Sequence, residues 1–321
     1  MQFSMLVEPA KKKQSFKPRD FFPGWNHLEY AVFRGFLALV NALPFSVSAW
    51  IARQVGNLLY FTMTKRRQVT LDNLERAYGD AMPEAERKRV ARLSFQHLIT
   101  SLMEFFRIPR TLKDARERFE FTGTEHLDKA FARGHGVLLV ISHFGSWEYL
   151  AFLPNLRDYP FSVIARSTKN PFITKWMQSM RAATKLVNID KKNAAKPVLQ
   201  ELKNNRGVAI LIDQWAGNDG EWVNFFGTKT STTTIPARLA KRTKAALVPA
   251  YCVRTGDGRY RIEIHPEVSF AADEENGVVI MTQTLNDLLE KRIREKPQQW
   301  TWTHRRWKED LRPKQNLPPS E

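Results

Sequence analysis

One cysteine, Cys252, stands among 321 residues. That count excludes an internal disulfide framework, a CxxC redox pair and any cysteine-based zinc cluster. Neither HExxH nor GxSxG occurs, so a zincin-type metal centre and a nucleophile-elbow serine have no carrier. Acidic residues are in deficit: 33 Asp and Glu face 50 Lys and Arg, a formal net charge of +17. The surplus points to an acidic partner, whether nucleic acid, an anionic membrane surface or a phosphorylated substrate. A clean bilayer-spanning run is also missing. Residues 35–52 are uncharged between Arg34 and Arg53, but Asn41, Pro44, Ser46 and Ser48 interrupt them. A spanning helix needs about 20 apolar residues. The segment begins too far from the N-terminus for a cleaved signal peptide. It reads as one poor span, or as two helices broken near Pro44 and lying in the interface, with Phe33, Phe36 and Trp50 as anchors. A buried helix pair is the third reading. Basic residues on both sides (Lys11 to Arg34, then Arg53, Lys65, Arg66 and Arg67) suit anionic headgroups. No later segment reaches spanning length.

What is present is enough for a core, at 43% hydrophobic residues, and it alternates helix and strand. Residues 66–78 and 84–106 carry helical spacing, with Pro83, Glu84 and Glu86 marking a helix start. Residues 137–141, 161–165, 208–212 and 246–252 are short apolar runs of the kind found in buried parallel strands. Residues 259–264 alternate as an edge or antiparallel strand does. Helices are expected over 146–153, 170–185, 193–204 and 276–295. The expected fold is therefore α/β, a mainly parallel central sheet flanked by helices, with an N-terminal membrane-associated helical segment. The expected organisation is a basic flexible arm over 1–24, membrane-associated helices over 25–65, an α/β domain over 66–310 and a polar tail over 311–321.

Ligands of open α/β sheets bind beyond the carboxyl ends of the strands. The residues there are Ser142 and His143 after the first run, Arg166 after the second, and Asp213 and Gln214 after the third. Three strands thus deliver a histidine, an arginine and an acid to one rim. His143 and Glu148 flank a glycine turn at Gly145. A carboxylate on one imidazole nitrogen fixes the tautomer and raises the basicity of the other. Such a pair is a general base for a hydroxyl, and its bland reading is a capping histidine beside a surface glutamate. Cys252, inside an apolar run, has no activating neighbour in sequence. With no nucleophile signal, direct attack by an activated hydroxyl is preferred to a covalent enzyme intermediate.

His143-Phe-Gly-Ser-Trp-Glu148 resembles the H-x4-D/E motif of the lysophospholipid acyltransferase superfamily. Arg166-Ser-Thr-Lys-Asn-Pro171, Asp213-Gln214, Phe225-Phe-Gly227 with Thr232-Thr-Thr234, and the segment from Gln299 to Lys308 follow in order. Together, over about residues 25–308, they resemble the late acyltransferases of lipid A biosynthesis, the lauroyl and myristoyl transferase type. The resemblance implies an enzyme of mixed α/β fold at the cytoplasmic face of the inner membrane. It would move a fatty acyl chain from acyl carrier protein to a hydroxyl of a lipid A precursor. It implies His143 as general base, Glu148 as its orienting partner, and Arg166, Asn170, Arg181, Asp213, Gln214 and Arg305 as substrate-binding residues. This chain has Trp215-Ala216-Gly217 where many members end the Asp-Gln segment in Tyr-Gly.

No metal and no tightly bound cofactor is expected. The expected partners are acyl carrier protein or acyl-CoA as donor, an anionic lipid or phosphorylated glycolipid as acceptor, and the membrane. Two alternatives stand beside this. One is an acyltransferase for another phospholipid, glycolipid or aminolipid. The other is a basic, non-catalytic protein that binds nucleic acid or membrane, with Trp300, Trp302, His304, Arg305, Arg306 and Trp307 as a stacking platform. No nucleic-acid motif backs the latter, so nucleic acid is not the expected partner.

Overall fold

Every residue of Val137–Ile141 is apolar and every one is buried, as a strand covered on both faces requires. This strand, β2, is the centre of the computed structural model, which describes residues 24–256, 258–269 and 276–308. Apart from Gly24, the arm expected over 1–24 lies outside the described residues, as does the tail over 311–321.

The chain opens with α1 (Trp25–Ala42), α2 (Phe45–Thr62), α3 (Thr64–Tyr78) and α4 (Glu84–Phe106), then short turns α5 (Ile108–Thr111) and α6 (Ala115–Arg118). There follow β1 (Phe119–Thr122), α7 (Thr124–Ala132), β2, a 3-10 segment Trp147–Phe152, α8 (Leu153–Leu156), β3 (Phe161–Ala165) and α9 (Pro171–Ala182). Next come β4 (Val187–Asp190), α10 (Ala195–Lys203), β5 (Gly207–Leu211) and the hairpin β6 (Glu221–Phe225) and β7 (Thr228–Thr232). The chain ends in α11 (Ile235–Thr243), β8 (Ala246–Gly256), β9 (Arg259–Ile264) and α12 (Gly277–Glu295).

Seven strands form one sheet in the order β1-β9-β8-β2-β5-β3-β4. Only β8 and β9 pair antiparallel, so the sheet is mostly parallel and flanked by helices. Side chains alternate across it. Leu139, Ile141, Ala209 and Val248 face one apolar layer with Phe105, Tyr149, Phe152 and Trp176. Leu138, Val140, Val208 and Ile210 face the other, against Val198, Leu202, Ala237 and Leu285 of α10, α11 and α12. A third cluster at the end of the sheet joins Tyr60, Leu74, Phe95, Phe144, Phe225, Trp300 and Trp302.

Pro44 ends α1 and starts α2, so residues 25–62 are two helices rather than one span, and among the described residues no helix is long and apolar enough to cross a membrane. The hairpin is neither fully buried nor fully free. Arg107 and Arg110 donate to Val40, Asn41 and Leu43 carbonyls at the end of α1, supplying from outside the cations that this terminus lacks. The outer side of the hairpin exposes Leu28, Val32, Phe36 and Leu39 of α1 and Trp50, Leu58 and Phe61 of α2. Of the three expected anchors, Trp50 and Phe36 are exposed, Phe36 with its ring edge-on to Phe106, whereas Phe33 turns inward onto Phe106 and Trp176.

The approach of α2 to α4 is set by Gly56, where an added Cβ would lie 2.5 Å from Gln96 Cα. Gly35, in the exposed middle of α1, has nothing within 4 Å of that position. Gly56→Val is expected to destabilise by about 1–3 kcal/mol through overpacking. Gly35→Ala is expected to stabilise by about 0.5–1 kcal/mol, because only backbone entropy changes. Urea unfolding of the two variants, read by far-UV circular dichroism, should move the midpoint in opposite directions.

Candidate active site

β2, β5 and β3 are adjacent and parallel, so their carboxyl ends share one rim. His143 follows β2, Asp213 follows β5 and Arg166 follows β3. The expected convergence therefore holds for all three. The turn after β2 is tightly held. Gly145 adopts φ +61°, and a Cβ there would run into the Cys252 carbonyl, so glycine is required. Gly145 N–H donates to Gln299 O at 2.8 Å and Ser146 N–H to Cys252 O at 2.7 Å. The His143 carbonyl accepts from Thr301 N–H and Thr301 Oγ1, both at 3.1 Å.

The imidazole partner is Asp213. His143 Nδ1 lies 2.9 Å from Asp213 Oδ1. A carboxylate only accepts, so Nδ1 carries the proton and Nε2 keeps its lone pair. Asp213 Oδ2 also accepts from the His143 backbone N–H and from Trp300 Nε1, each at 2.9 Å. Burial works against the Asp213 charge, but the histidine and these donors outweigh it and hold its pKa down to about 2. Burial likewise lowers the His143 pKa, yet the Asp213 carboxylate, its hydrogen bond and the charge of Glu148 raise it overall.

The expectation that Glu148 orients His143 needs correction. The helix expected over 146–153 is a 3-10 segment, and Glu148 in its first turn pairs with Arg181 of α9. Arg181 Nη2 donates to Oε1 at 2.8 Å and Nε to Oε2 at 3.3 Å. The guanidinium also donates to Asn188 Oδ1 and lies over Phe105. Glu148 therefore reaches the imidazole only through space. His143, Glu148, Arg166 and Arg181 form the polar end of a cavity of about 280 Å³. Its remaining wall is apolar, with Leu139 and Ile141 of β2, Ala209 and Leu211 of β5, and Phe161 and Val163 of β3 on one sheet face.

Three other expected substrate residues are placed elsewhere. Asn170 is buried and caps α9, accepting from Phe172 and Ile173 N–H. Its amide donates to Asn26 O and Glu29 Oε2, so its polar atoms are committed to structure. The Gln214 side chain is exposed, and the Gln214 backbone carbonyl accepts from Arg306. Arg305 lines a separate cleft. Arg306, read from sequence only as part of the aromatic–basic cluster, is fully buried and also donates to Ser231 O and Thr232 Oγ1. Its guanidinium holds the segment after Asp213 against the β7 strand. Burial pushes its pKa down to about 10, partly opposed by Asp213. Trp300 and Trp302 are buried, which removes the stacking platform that a nucleic-acid reading needs. Cys252 is buried too, and burial pushes its thiol up, so it stays protonated. Among the described residues, no three His, Cys, Asp or Glu side chains come together as a metal site.

A model of the family described as bacterial lipid A biosynthesis acyltransferase matches residues 19–309. The lipid A biosynthesis lauroyltransferase of Escherichia coli is 30% identical over 283 residues, 85% of this chain and 89% of that protein. The lipid A biosynthesis acyltransferase of Haemophilus influenzae is 23% identical over 289 residues, 87% of this chain and 88% of the other. A phosphatidylinositol mannoside acyltransferase of Mycobacterium tuberculosis is 29% identical over 216 residues, 65% of this chain and 67% of the other. Among solved structures, the 1-acyl-sn-glycerophosphate acyltransferase of Thermotoga maritima aligns with a TM-score of 0.37 at 13% identity, covering 77% of this chain and 99% of that one.

Neutral His143 is the basic form, so activity that depends on it rises with pH through its raised pKa. Asp213→Asn removes the carboxylate and leaves burial to dominate. The acid limb of kcat/KM should then move down by roughly 1–3 pH units, while the plateau falls by about 10²-fold or more. Paired pH–rate profiles check this. A limb that stays in place would assign the titration to another group.

Proposed function

We propose, from the premise that this chain belongs to the bacterial lipid A biosynthesis acyltransferase family, that it moves a fatty acyl chain from an acyl thioester to a hydroxyl of a lipid A precursor. The observation that carries this reading is the cavity: a fixed imidazole base at the polar end of a pocket whose depth is hydrocarbon. A group with a reactive carbonyl and an apolar tail fits that distribution.

In the proposed reaction, His143 Nε2 takes the proton of the acceptor hydroxyl. The oxygen attacks the thioester carbonyl, forming the new ester C–O bond. The C–S bond breaks, and the departing thiolate recovers the proton from the imidazolium. Asp213 stabilises that imidazolium by direct hydrogen bond and Glu148 by its charge. Arg181 holds Glu148 in place. Arg166, exposed at the mouth of the cavity, is the cation available to the developing oxyanion. Acyl carrier protein is the proposed donor, since an acidic carrier suits a chain of net charge +17; acyl-CoA carries the same thioester. The apolar outer side of α1 and α2, flanked by cations, supports association with the cytoplasmic face of the inner membrane. On this reading the N-terminal hairpin lies on the membrane and the remainder forms the catalytic domain. The phosphatidylinositol mannoside relatives favour one second reading, the same chemistry on a different glycolipid acceptor.

Deleting the gene in its host should leave lipid A lighter by one acyl chain. Wild type should restore it, and His143→Ala should not. Lipid mass profiles would show this. An unchanged lipid A with another lipid underacylated would move the acceptor, and full rescue by His143→Ala would refute the base. The cavity supports a second outcome. Ala209→Leu adds bulk to its apolar wall, and each methylene that no longer fits costs roughly 10–200-fold in kcat/KM. Competition among acyl thioesters of graded length should shift preference to shorter chains, and an unchanged preference would put the acyl chain elsewhere.

A further inference from the structure

A second concave surface lies at the start of α3. Lys65, Arg66 and Val69 form one side of an open cleft of about 400 Å³, and His304, Arg305 and Lys308 form the other. The described lining contains no carboxylate. Among the described residues, Lys65, Arg66, Arg305 and Lys308 form no ion pair. The charge pattern of α3 is inverted: its first turn holds Lys65, Arg66 and Arg67 with no acid, where the helix dipole favours anions. The two sides are nevertheless tied together. Arg66 Nη1 donates to Thr303 O at 3.3 Å, and Asn73 Nδ2 donates to Trp302 O and His304 O at 2.7 Å. The Lys308 ammonium sits 4.1 Å over the Trp215 ring. Among the described residues, then, the cations of this built concavity have no acidic partner, and the concavity is open at the surface.

Its neighbours say what reaches it. The segment that forms one side begins at Trp300, which bonds Asp213, and Thr301, which bonds the His143 carbonyl. The other side follows directly on the end of α2, where Leu58, Phe61 and Met63 are exposed. The cleft therefore shares one segment with the candidate general base and the other with an apolar surface suited to a membrane.

We propose that this cleft binds a phosphate ester on the headgroup of the lipid acceptor. The proposal rests on the reading of the acceptor as a lipid given above. A phosphate monoester carries about −1.5 to −2 charge and three strong acceptor oxygens. Lysine and arginine from two walls match it with charge-assisted bonds. Bound there, the headgroup is anchored a short run of chain away from His143, and the phosphate restores the anion that the start of α3 lacks.

The test measures binding and needs no transfer activity, so it is independent of the reaction assigned above. The full chain in detergent is titrated by calorimetry with dihexanoyl phosphatidic acid and with dihexanoyl phosphatidylcholine. Wild type and His143→Ala should bind the phosphatidic acid at least about tenfold more tightly. Lys65→Gln with Arg305→Gln, two exposed positions on opposite walls, should abolish that preference, and Lys308→Gln alone should reduce it. Competition by inorganic phosphate would show that the cleft reads the phosphate itself. Phosphatidic acid binding without such competition would show that it reads the lipid headgroup. Equal binding of the two lipids, or a preference untouched by the double variant, would overturn the proposal. So would tighter binding of a fluorescent single-stranded oligonucleotide that the same variant abolishes.

Discussion

Glu104 and Arg254 meet in the interior behind the turn that carries His143. Arg254 donates through Nε and Nη2 to the two Glu104 oxygens at 2.8 and 2.7 Å, and through Nη1 to His97 Nδ1 at 2.6 Å. Its Nη2 also reaches Ser101 and Ser146 hydroxyls. Glu104 in turn accepts from Ser146 Oγ and Tyr260 Oη. One ion pair thus binds α4, β8, β9 and the first residues beyond the glycine turn. Burial, and the guanidinium beside it, push the His97 pKa well down, so it accepts from Arg254 as a neutral ring. Removing one partner of such a pair strands a buried charge, at about 3–5 kcal/mol. The net gain over an apolar filling is small by the same reasoning. Its consequence is positional: Ser146 Oγ is fixed on Glu104, while the backbone of His143 and Gly145 is held by residues 299–301 and that of Ser146 by Cys252.

That rigidity separates the roles of the two carboxylates near the imidazole. Asp213 is buried and bonded to His143 directly, and three donors keep it ionised. Glu148 faces the cavity with Arg181 on it. The first fixes which nitrogen is basic. The second acts on the imidazole by its charge alone, because its own oxygens are engaged by Arg181. A base arranged this way accepts a proton without the ring reorienting, which is what electrostatic preorganisation requires.

The sheet was legible because β2 and β3 are almost wholly apolar and bounded by turn residues. Their expected ends coincide with the observed ones, as do those of β9, while β5 is shifted one residue earlier at both ends and β8 runs on from 252 to Gly256. The rim residues followed from those ends. β1 and β4 were missed. They are four-residue edge strands with mixed side chains, Phe119-Glu-Phe-Thr122 and Val187-Asn-Ile-Asp190, and show no clean period. The imidazole partner was misassigned because Glu148 is close in sequence. Asp213 is 70 residues away and is brought in only by the pairing of β2 with β5. Asn170 illustrates the same limit: Asn before proline fits a ligand motif and a helix cap equally well, and only its bonded neighbours decide. Nothing in the sequence marks Arg306 as buried or Arg305 as exposed, since adjacent positions in an irregular segment have no fixed period.

The segment from Trp300 to Lys308 connects these levels. Trp300 bonds Asp213, Thr301 bonds His143, Trp302 fills the end cluster, Arg306 locks the chain after Asp213, and Arg305 and Lys308 emerge at the surface. A single irregular stretch therefore reports from the carboxylate that bonds His143 to the cationic cleft within nine residues. An irregular segment can do this because successive side chains leave it in different directions, whereas a helix would return the same face every third or fourth residue. Its aromatic and basic residues serve different environments, the tryptophans inside and most of the cations outside. A composition that resembles a nucleic-acid platform is thus resolved by burial alone. On the proposed reading, the acyl cavity receives one substrate from the sheet face and the cleft steadies the other from the membrane side. Direct transfer needs this arrangement, because donor and acceptor must reach His143 together.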